Sequence, residues 1–426
     1  MTRLHRPAAR LLAAALIIPL LAACGTTGPS ATPAPSASGV APASHEAPAA
    51  PATRRPSRAD PPPASSREPD LSTLVDLGTE LTIGTLRGEH AEAMLEYASD
   101  GSSVIFSSGI APDVSRGDAA PDLWRLVPGP SAVPELVWRN PARGNSLVKI
   151  GGDLGAYAFV DVPLTGDQAW TLWFLPRHHT TALRLDEHPG DEDVPSLVPS
   201  FSIWEDRIAW TAFDRGAAGP VSQLLMAEAP DWEPRVLLEQ PAAEAELWLP
   251  SLYGNRLAFT EVRYAADRAT DERHVYLMNV HDPDGRRRLD TSGRATMPVL
   301  VPDAVLWKEA DAGFNMFNWG RMFRFDLETN AVSRVGTSPQ EYVNYPSGGS
   351  RFVAWRGANS FALGVYDHLL GENRLIERTG SGRETSLLRP HLAWDLLVWM
   401  RVVGSGPGDV AELRYAFLPD AGDLRR

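Results

Sequence analysis

Cysteine and lysine are nearly absent from this sequence of 426 residues: cysteine occurs once, at Cys24, and lysine twice, at Lys149 and Lys308. A single cysteine excludes an intramolecular disulfide, so the folded part must be stable without cross-links. Arginine supplies the remaining basic charge, and we interpret the scarcity of lysine as genomic base composition. After residue 23 no apolar run is long enough to span a bilayer.

Positive charge is also in deficit. The whole chain carries a formal net charge of −13, and the part from residue 71 onward is near −16, with 33 basic against 49 acidic residues. An acidic domain of this kind is a poor match for nucleic acid or for an anionic lipid surface. We therefore expect no nucleic-acid partner.

The first 23 residues have the pattern of an export signal. Arg3, Arg6 and Arg10 precede an apolar run from 11 to 23, which at roughly 13 residues is too short for a permanent transmembrane helix. The run ends in Leu21-Ala22-Ala23-Cys24. This segment resembles the lipobox of bacterial lipoproteins.

The resemblance implies cleavage before Cys24 and a lipid on its thiol, which would hold the protein on the extracytoplasmic side of the cell membrane. Two acyl chains suffice for stable anchoring. Because Gly25 follows the cysteine, the family pattern leaves the outer membrane open in a cell with two membranes. The alternative is an ordinary secretory signal with a chance cysteine.

Residues 24–70 form a separate segment dominated by proline, alanine and serine. Such a composition cannot bury enough apolar surface to offset the entropy of ordering, so we expect a disordered stalk. In polyproline II form, at about 3.1 Å per residue, it could reach about 140 Å. The predicted organisation is thus a signal at 1–23, a lipidated stalk at 24–70 and a domain at 71–426.

One short pattern recurs throughout the domain: an aliphatic residue, then another aliphatic residue or alanine, then a large aromatic one, with Tyr157 in place of the first aliphatic residue in the second copy. The seven aromatic positions are Phe106, Phe159, Trp210, Phe259, Trp307, Trp355 and Trp399. Their spacings of 53, 51, 49, 48, 48 and 44 residues are typical of propeller blades. Further alternating runs and turns follow each copy, which predicts an all-β propeller of four-stranded blades. Seven blades are predicted, with six as the alternative.

Two further features belong to this pattern. A proline lies nine residues before the aromatic in four copies, at Pro250, Pro298, Pro346 and Pro390. The seventh copy stops after its third strand, whereas a spare strand at 80–84 precedes the first copy. We expect this N-terminal strand to complete the last blade and close the ring, which removes an exposed sheet edge.

The segments 97–106 and 250–259 resemble TolB-type propeller repeats. The resemblance covers roughly residues 93–418 and is weak in each copy, since only the first contains the turn Ser99-Asp100-Gly101. It implies the propeller fold. It does not extend to the Tol partnership, because TolB is soluble and carries an additional N-terminal domain.

The motifs of common enzymes are missing from the sequence. There is no G-x-S-x-G pentapeptide and no H-E-x-x-H pair, and the acidic run at 191–193 lacks the spacing of an EF-hand. We therefore predict no catalytic residue, no metal and no cofactor.

A candidate binding face follows from strand geometry. The residues two positions after the aromatics include Asp161, Glu261, Glu309 and Arg401, and strand geometry should bring them together at one mouth of the ring. Phe314, Phe317 and Trp319 add an aromatic cluster in a predicted loop, a feature that often marks a contact surface. The alternatives are a solvated rim and a loop that packs onto the blade.

The function predicted first is a non-enzymatic binding or scaffold module for an envelope protein, peptide or glycan. The alternative is a hydrolase or lyase that acts on cell-wall carbohydrate through carboxylates at the mouth of the ring. A third hypothesis is a sensor partner of a membrane kinase or transporter.

Overall fold

The computed structural model describes residues 75–78, 81–86, 94–108, 122–129, 132–141, 145–163, 168–190, 193–264, 271–310, 320–335, 343–357, 362–379, 385–404 and 410–419. Within these ranges all regular structure is β-strand. No helix in them is long and apolar enough to cross a membrane. The predicted signal, the predicted stalk and Cys24 lie outside the described residues.

The strands form seven blades in chain order. Blade 1 contains β3 (Met94–Ser99), β4 (Val104–Ser108), β5 (Asp122–Leu126) and β6 (Glu135–Trp138), and blade 2 contains β7 (Asn145–Asp153), β8 (Ala156–Pro163), β9 (Trp170–Leu175) and β10 (Leu183–His188). Blade 3 contains β11 (Phe201–Trp204), β12 (Arg207–Gly216), β13 (Gly219–Glu228) and β14 (Arg235–Pro241), and blade 4 contains β15 (Ala245–Tyr253), β16 (Arg256–Tyr264), β17 (Asp271–Asn279) and β18 (Asp282–Arg288).

The last three blades contain the remaining strands. Blade 5 contains β19 (Ala295–Val301), β20 (Ala304–Ala310), β21 (Gly320–Asp326) and β22 (Val332–Arg334), and blade 6 contains β23 (Val343–Gly348), β24 (Phe352–Gly357), β25 (Ala362–Asp367) and β26 (Glu372–Arg378). Blade 7 contains β27 (Thr385–Leu387), β28 (His391–Ala393), β29 (Leu396–Val403) and β30 (Val410–Phe417). In each blade the first strand is innermost and its neighbours pair antiparallel.

The innermost strands close into a ring. Each contacts the innermost strand of the next blade, and β28 of blade 7 contacts β3 of blade 1. A ring of four-stranded antiparallel sheets around a central channel is a β-propeller. The predicted all-β fold and the seven blades are confirmed.

The N-terminal strands bind the two last blades. β1 (Val75–Asp76) lies parallel to β26, and β2 (Gly84–Leu86) pairs antiparallel with β30 as the outer strand of blade 7. Closure by an N-terminal strand is confirmed, although the strand lies later than predicted. At Gly84 a Cβ would collide with the ring of Tyr415, and Leu86 is the residue that enters the core.

The recurring aromatic residues fill the seams between blades. Trp210, Trp307 and Trp399 are fully buried. The Trp210 indole donates a hydrogen bond to Asp186 of blade 2 at 2.7 Å, and the Trp399 indole donates one to Glu377 of blade 6 at 2.7 Å. In both cases the aromatic side chain faces the preceding blade, so it packs the seam and supplies no free surface.

The recurring proline marks a bulge in the innermost strand. The pairing register shifts around Pro250, Pro298 and Pro346, and in blade 7 Pro390 separates β27 from β28. Proline has no N–H to give to the ladder, so it is tolerated at a bulge. The residues that precede the first three prolines have left-handed φ values of 52°, 56° and 50° (Leu249, Met297 and Tyr345).

Serine side chains join neighbouring innermost strands near the bulges. The amide of Leu300 donates to Ser251 Oγ at 2.8 Å, and the amide of Leu392 donates to Ser347 Oγ at 2.9 Å. Each bond connects one blade to the next. The bulged strands are thereby held in register around the channel.

Replacing Leu86 by Ala tests the closing strand. Leu86 packs with Leu396 and Leu413 of blade 7, so its truncation should lower the free energy of unfolding by about 2–3 kcal/mol. The measurement is urea unfolding. Leu136→Ala on β6, where the side chain is 40% exposed, is the control and should change stability little. Equal effects of the two substitutions would show that β2 does not close the ring.

Candidate active site

One repeat position contributes a residue to the channel level in each blade. This position lies ten residues before the recurring aromatic residue. In the copies that contain the recurring proline, it is the residue immediately before that proline. Its seven members are Glu96, Lys149, Ser200, Leu249, Met297, Tyr345 and Arg389. The charged members and the tyrosine belong to blades 6, 7, 1 and 2, on either side of the point where the ring closes.

Glu96 and Arg389 meet across that closure. The Arg389 guanidinium lies 3.7 Å from Glu96 Oε1, and its side chain remains 55% exposed although it belongs to an innermost strand segment. Burial raises the pKa of Glu96 above its ordinary value, even though Arg389 and Lys149 act in the opposite direction. The pair is therefore loose, and much of the Arg389 side chain stays exposed.

Tyr345 lies between two arginines. The guanidinium carbon of Arg356 is 4.8 Å from the centre of its ring, and that of Arg389 is 5.7 Å away. Arg356 makes no hydrogen bond or ion pair with another described residue, and burial lowers its pKa. Cations lose hydration energy at such positions, and a carboxylate would offset this loss better than an aromatic face does.

Lys149 lies on the other side of Glu96. Its ammonium faces the ring of Phe201 at 5.6 Å, and within the described ranges it has no hydrogen bond and no ion pair. Burial lowers the pKa of Lys149 to about 8; the nearby Glu96 opposes this shift and Arg389 adds to it. An amine with this pKa is partly neutral near physiological pH and can accept a proton.

His391 and Tyr97 lie beside Lys149 and Arg389. Their rings meet edge to face at 5.5 Å, and the Tyr97 hydroxyl donates a hydrogen bond to the Arg389 carbonyl at 2.6 Å. Burial, together with Arg389 and Lys149, lowers the pKa of His391 to about 3. The imidazole is therefore neutral and contributes no positive charge.

A further cation borders the site at the seam of blades 5 and 6. Lys308 is fully buried and donates a hydrogen bond to Asn344 Oδ1 at 2.8 Å. Asn344 is the cross-strand partner of Arg356 and precedes Tyr345. Burial, with Arg273 and Arg356 nearby, lowers the pKa of Lys308 to about 7.

We call Lys149, Arg356 and Arg389 the cationic cluster. Glu96 is the only carboxylate that the described contacts place against it, which leaves an excess of positive charge at the centre of an acidic protein. Like charges held together in a partly desolvated channel repel one another. The arrangement fits an anionic ligand, since an anion relieves this repulsion.

The acids predicted to form the binding face lie in the seams. Asp161 accepts hydrogen bonds from Asn140 at 3.2 Å and from Asn145 at 2.8 Å, and burial raises its pKa. Glu261 is fully buried and accepts a hydrogen bond from Arg263 at 2.6 Å. Both side chains are engaged within the blade structure.

Glu309 and Arg401 are engaged in the same way. Glu309 accepts a hydrogen bond from the Trp307 indole at 3.1 Å, and burial raises its pKa. Arg401 lies 3.7 Å from Glu377 of the preceding blade. No described hydrogen bond or ion pair joins any two of these four predicted residues to each other.

The predicted aromatic cluster of Phe314, Phe317 and Trp319 lies outside the described residues, so it stays a prediction. Among the residues with assigned positions, no three His, Cys, Asp or Glu side chains are grouped as a metal site would require.

Sequence reasoning missed the cationic cluster, although a signal was present. The recurring proline was identified, and the residue immediately before it is the one at channel level. The two lysines were a second signal, because Lys149 belongs to the cluster and the buried Lys308 borders it. The prediction rested instead on the second-strand position two residues after the aromatic, whereas Arg356 lies one residue after it.

The sequence itself matches no protein-family model and no curated protein. Solved structures share the fold. The acylaminoacyl peptidase of Pyrococcus horikoshii is 11% identical with a TM-score of 0.52, over 78% of this chain and 53% of that chain. The β-propeller domain of the Trilobed protease from Pyrococcus furiosus is 10% identical with a TM-score of 0.51, over 75% and 96%. The oligogalacturonate lyase of Vibrio parahaemolyticus is 12% identical with a TM-score of 0.48, over 80% and 98%.

The acylaminoacyl peptidase is an enzyme and the Pyrococcus furiosus propeller is a domain of a protease, which corrects the first functional prediction. The comparisons contradict a non-enzymatic binding or scaffold module and favour the predicted alternative, a propeller hydrolase or lyase. At such low identities the similarity shows the fold alone, so the chemistry depends on the side chains of the channel.

The substitution Lys149→Met tests whether repulsion among the charges of the cationic cluster destabilises the folded protein. The variant should unfold at a higher temperature than the wild type at neutral pH, because it removes a desolvated charge that forms no described ion pair and whose burial outweighs the attraction of Glu96. The folded pKa is about 8 against an ordinary value of 10.5. Between these two pH values the unfolded wild type binds more protons than the folded wild type, so the stability of the wild type rises with pH. The difference in unfolding temperature between the variant and the wild type should therefore shrink as the pH is raised through this range.

Thermal unfolding measured across this pH range provides the test. Arg184→Met on β10, where the side chain is 57% exposed, is the control and should change stability little at any pH. A variant that unfolds earlier than the wild type at neutral pH would show that the Lys149 ammonium is stabilised in the fold.

Proposed function

We propose that this protein is a propeller lyase that cleaves uronate-type, anionic carbohydrate in its central channel. The observation that carries the proposal is the cationic cluster, in which Lys149 and Arg356 form no described ion pair and Lys149 has a pKa of about 8. Perturbed titratable groups in a concave site are typical of catalytic machinery.

The residues divide into three roles. Arg356 and Arg389 hold the uronate carboxylate, and their charge increases the acidity of the adjacent C5–H. Neutral Lys149 removes that proton as general base. The electrons of the C–H bond form a double bond between C4 and C5, and the C4–O bond to the leaving sugar breaks. The hydroxyl of Tyr345, whose ring both arginines contact, donates the proton that this oxygen takes up.

Elimination fits the site better than hydrolysis. Glycoside hydrolases use two carboxylates about 5–5.5 Å or about 6.5–9.5 Å apart. In the described channel Glu96 is the only carboxylate against the cluster, and it faces Arg389. The carboxylate-dependent mechanism is therefore replaced by one in which an amine is the base and arginines bind the substrate.

The place of action follows from the N-terminal segments, and we propose it on their pattern. A lipid on Cys24 would anchor the enzyme to the extracytoplasmic side of a membrane, and residues 24–70 would act as a spacer. The substrate would then be a polysaccharide of the cell envelope or its surroundings. A large polymer that cannot enter the cell suits an enzyme displayed outside it.

The activity is tested with polygalacturonate, alginate and hyaluronan, by following the ultraviolet absorbance of the unsaturated uronate product. Wild type should act on at least one of them, and kcat/KM should rise with pH through an apparent pKa of about 8 as Lys149 loses its proton. Lys149→Met should lower kcat about a hundred-fold or more. Arg389→Gln should mainly raise KM.

The matched control is Arg184→Met, which removes an exposed cation outside the channel and should leave all constants unchanged. Full activity in Lys149→Met would remove Lys149 from the mechanism. No unsaturated product from any of the polymers would refute the proposed function.

The substitution Cys24→Ala tests the anchor. The variant should move from the membrane fraction to the soluble extracytoplasmic fraction while its enzymatic constants stay the same, because only the lipid attachment is lost. Fractionation followed by immunoblotting is the measurement. A variant that remains with the membranes would contradict lipid attachment at this residue.

A further inference from the structure

One tryptophan crosses the end of the channel where the first and second strands of each blade connect. Trp394 lies in the turn between β28 and β29 of blade 7. Its indole donates a hydrogen bond to Asp153 of blade 2 at 2.6 Å and stacks on Trp204 of blade 3 at 5.5 Å. Blades 7 and 3 are not neighbours in the ring, so this side chain spans the axis.

Further rings extend this closure, which we call the aromatic floor and define as Trp204, Tyr253 and Trp394. Tyr253 of blade 4 packs against Trp204 with ring centres 3.9 Å apart. The floor therefore joins blades 3, 4 and 7. All three side chains are half-buried, as expected for residues with one face on protein and one on solvent.

Glycines make room for the floor. A Cβ at Gly101 of blade 1 would collide with the Trp394 indole, and one at Gly349 of blade 6 would collide with the Trp394 carbonyl. Asp153 fixes the indole further, because it also accepts a hydrogen bond from the amide of Glu205 at 2.5 Å. The floor is thus built into the turns of blades 1, 2, 3 and 6.

The cationic cluster lies above this floor. Lys149 precedes Asp153 by four residues, and Glu96 precedes Asp100 by four residues, on strands that run toward the floor. At about 3.3 Å per residue this separation is about 13 Å. A sugar chain held at the cluster therefore meets a closed end a short distance further on.

We propose that the channel is closed at one end by the aromatic floor and that the enzyme consequently acts on chain ends, releasing short oligouronates. This inference rests on the proposed function and adds its mode of action. A chain interior cannot reach the cluster without a sharp bend, because nothing can pass through the ring. The released piece is limited by the distance between the cluster and the floor.

The experiment compares product lengths for wild type and Trp394→Gly on whichever polyuronate is cleaved, by mass spectrometry and size-exclusion chromatography at early times. Wild type should release short products while the remaining polymer stays long. Trp394→Gly removes the crossing side chain at a residue with φ of 51°, which glycine adopts freely. Its products should be longer, because the floor is open.

Two further variants distinguish the loss of the aromatic floor from the loss of any large aromatic side chain. Trp394→Phe keeps a ring across the axis and should retain short products. Trp138→Ala removes a half-buried indole from the outer strand β6, where it packs on Phe159, and should keep the wild-type product pattern. If Trp394→Gly does not fold, the wild-type pattern alone decides between chain-end and internal cleavage.

The outcomes distinguish the two proposals. Unsaturated products of intermediate length from wild type, or unchanged product lengths in folded Trp394→Gly, would overturn the chain-end mode and leave the lyase intact. Absence of any unsaturated product would overturn the lyase and the chain-end mode together.

Discussion

The candidate site depends on closure of the ring, because it is assembled across the closing seam. Glu96 and Lys149 come from blades 1 and 2, whereas Tyr345 and Arg389 come from blades 6 and 7. The contact of Arg389 with Glu96 and the hydrogen bond from Tyr97 to the Arg389 carbonyl both join blade 7 to blade 1. The pairing of β2 with β30 holds these blades together without a disulfide. If this pairing is lost, the cluster is divided into two halves.

The second constraint is the bulge of the innermost strands. A regular strand alternates its side chains between the two faces of a blade, where they enter seams. The proline bulge interrupts this alternation and leaves the preceding residue half-buried at channel level, as at Met297 and Tyr345. The same bulge thus places different side chains at this position: leucine and methionine in blades 4 and 5, and tyrosine and arginine in blades 6 and 7. The side chains at the bulge differ between blades while the backbone of the ring is repeated.

The sequence was sufficient for the fold because the fold depends on repetition. Seven aromatic positions at blade spacing gave the number of blades, and the incomplete seventh copy gave the closing strand, although not its bounds. The site was not predictable in the same way. Lys149 and Arg389 are separated by most of the chain, and no local pattern states that blade 7 returns beside blade 1. The predicted acids Asp161 and Glu261 accept hydrogen bonds from Asn145 and Arg263 of their own blades, so these side chains are engaged within the blade structure.

The position of β2 and β30 also imposes an order of assembly. Gly84 and Tyr415 pair although more than 300 residues separate them, and contacts of such high sequence separation form late in folding. During synthesis the early blades can form their hairpins, but β2 has no partner until almost the last segment is available. Any chain that ends before β30 exposes an unpaired edge and has no complete channel. A complete channel therefore requires the whole domain through β30, and truncated products keep an exposed sheet edge and are open to proteolysis.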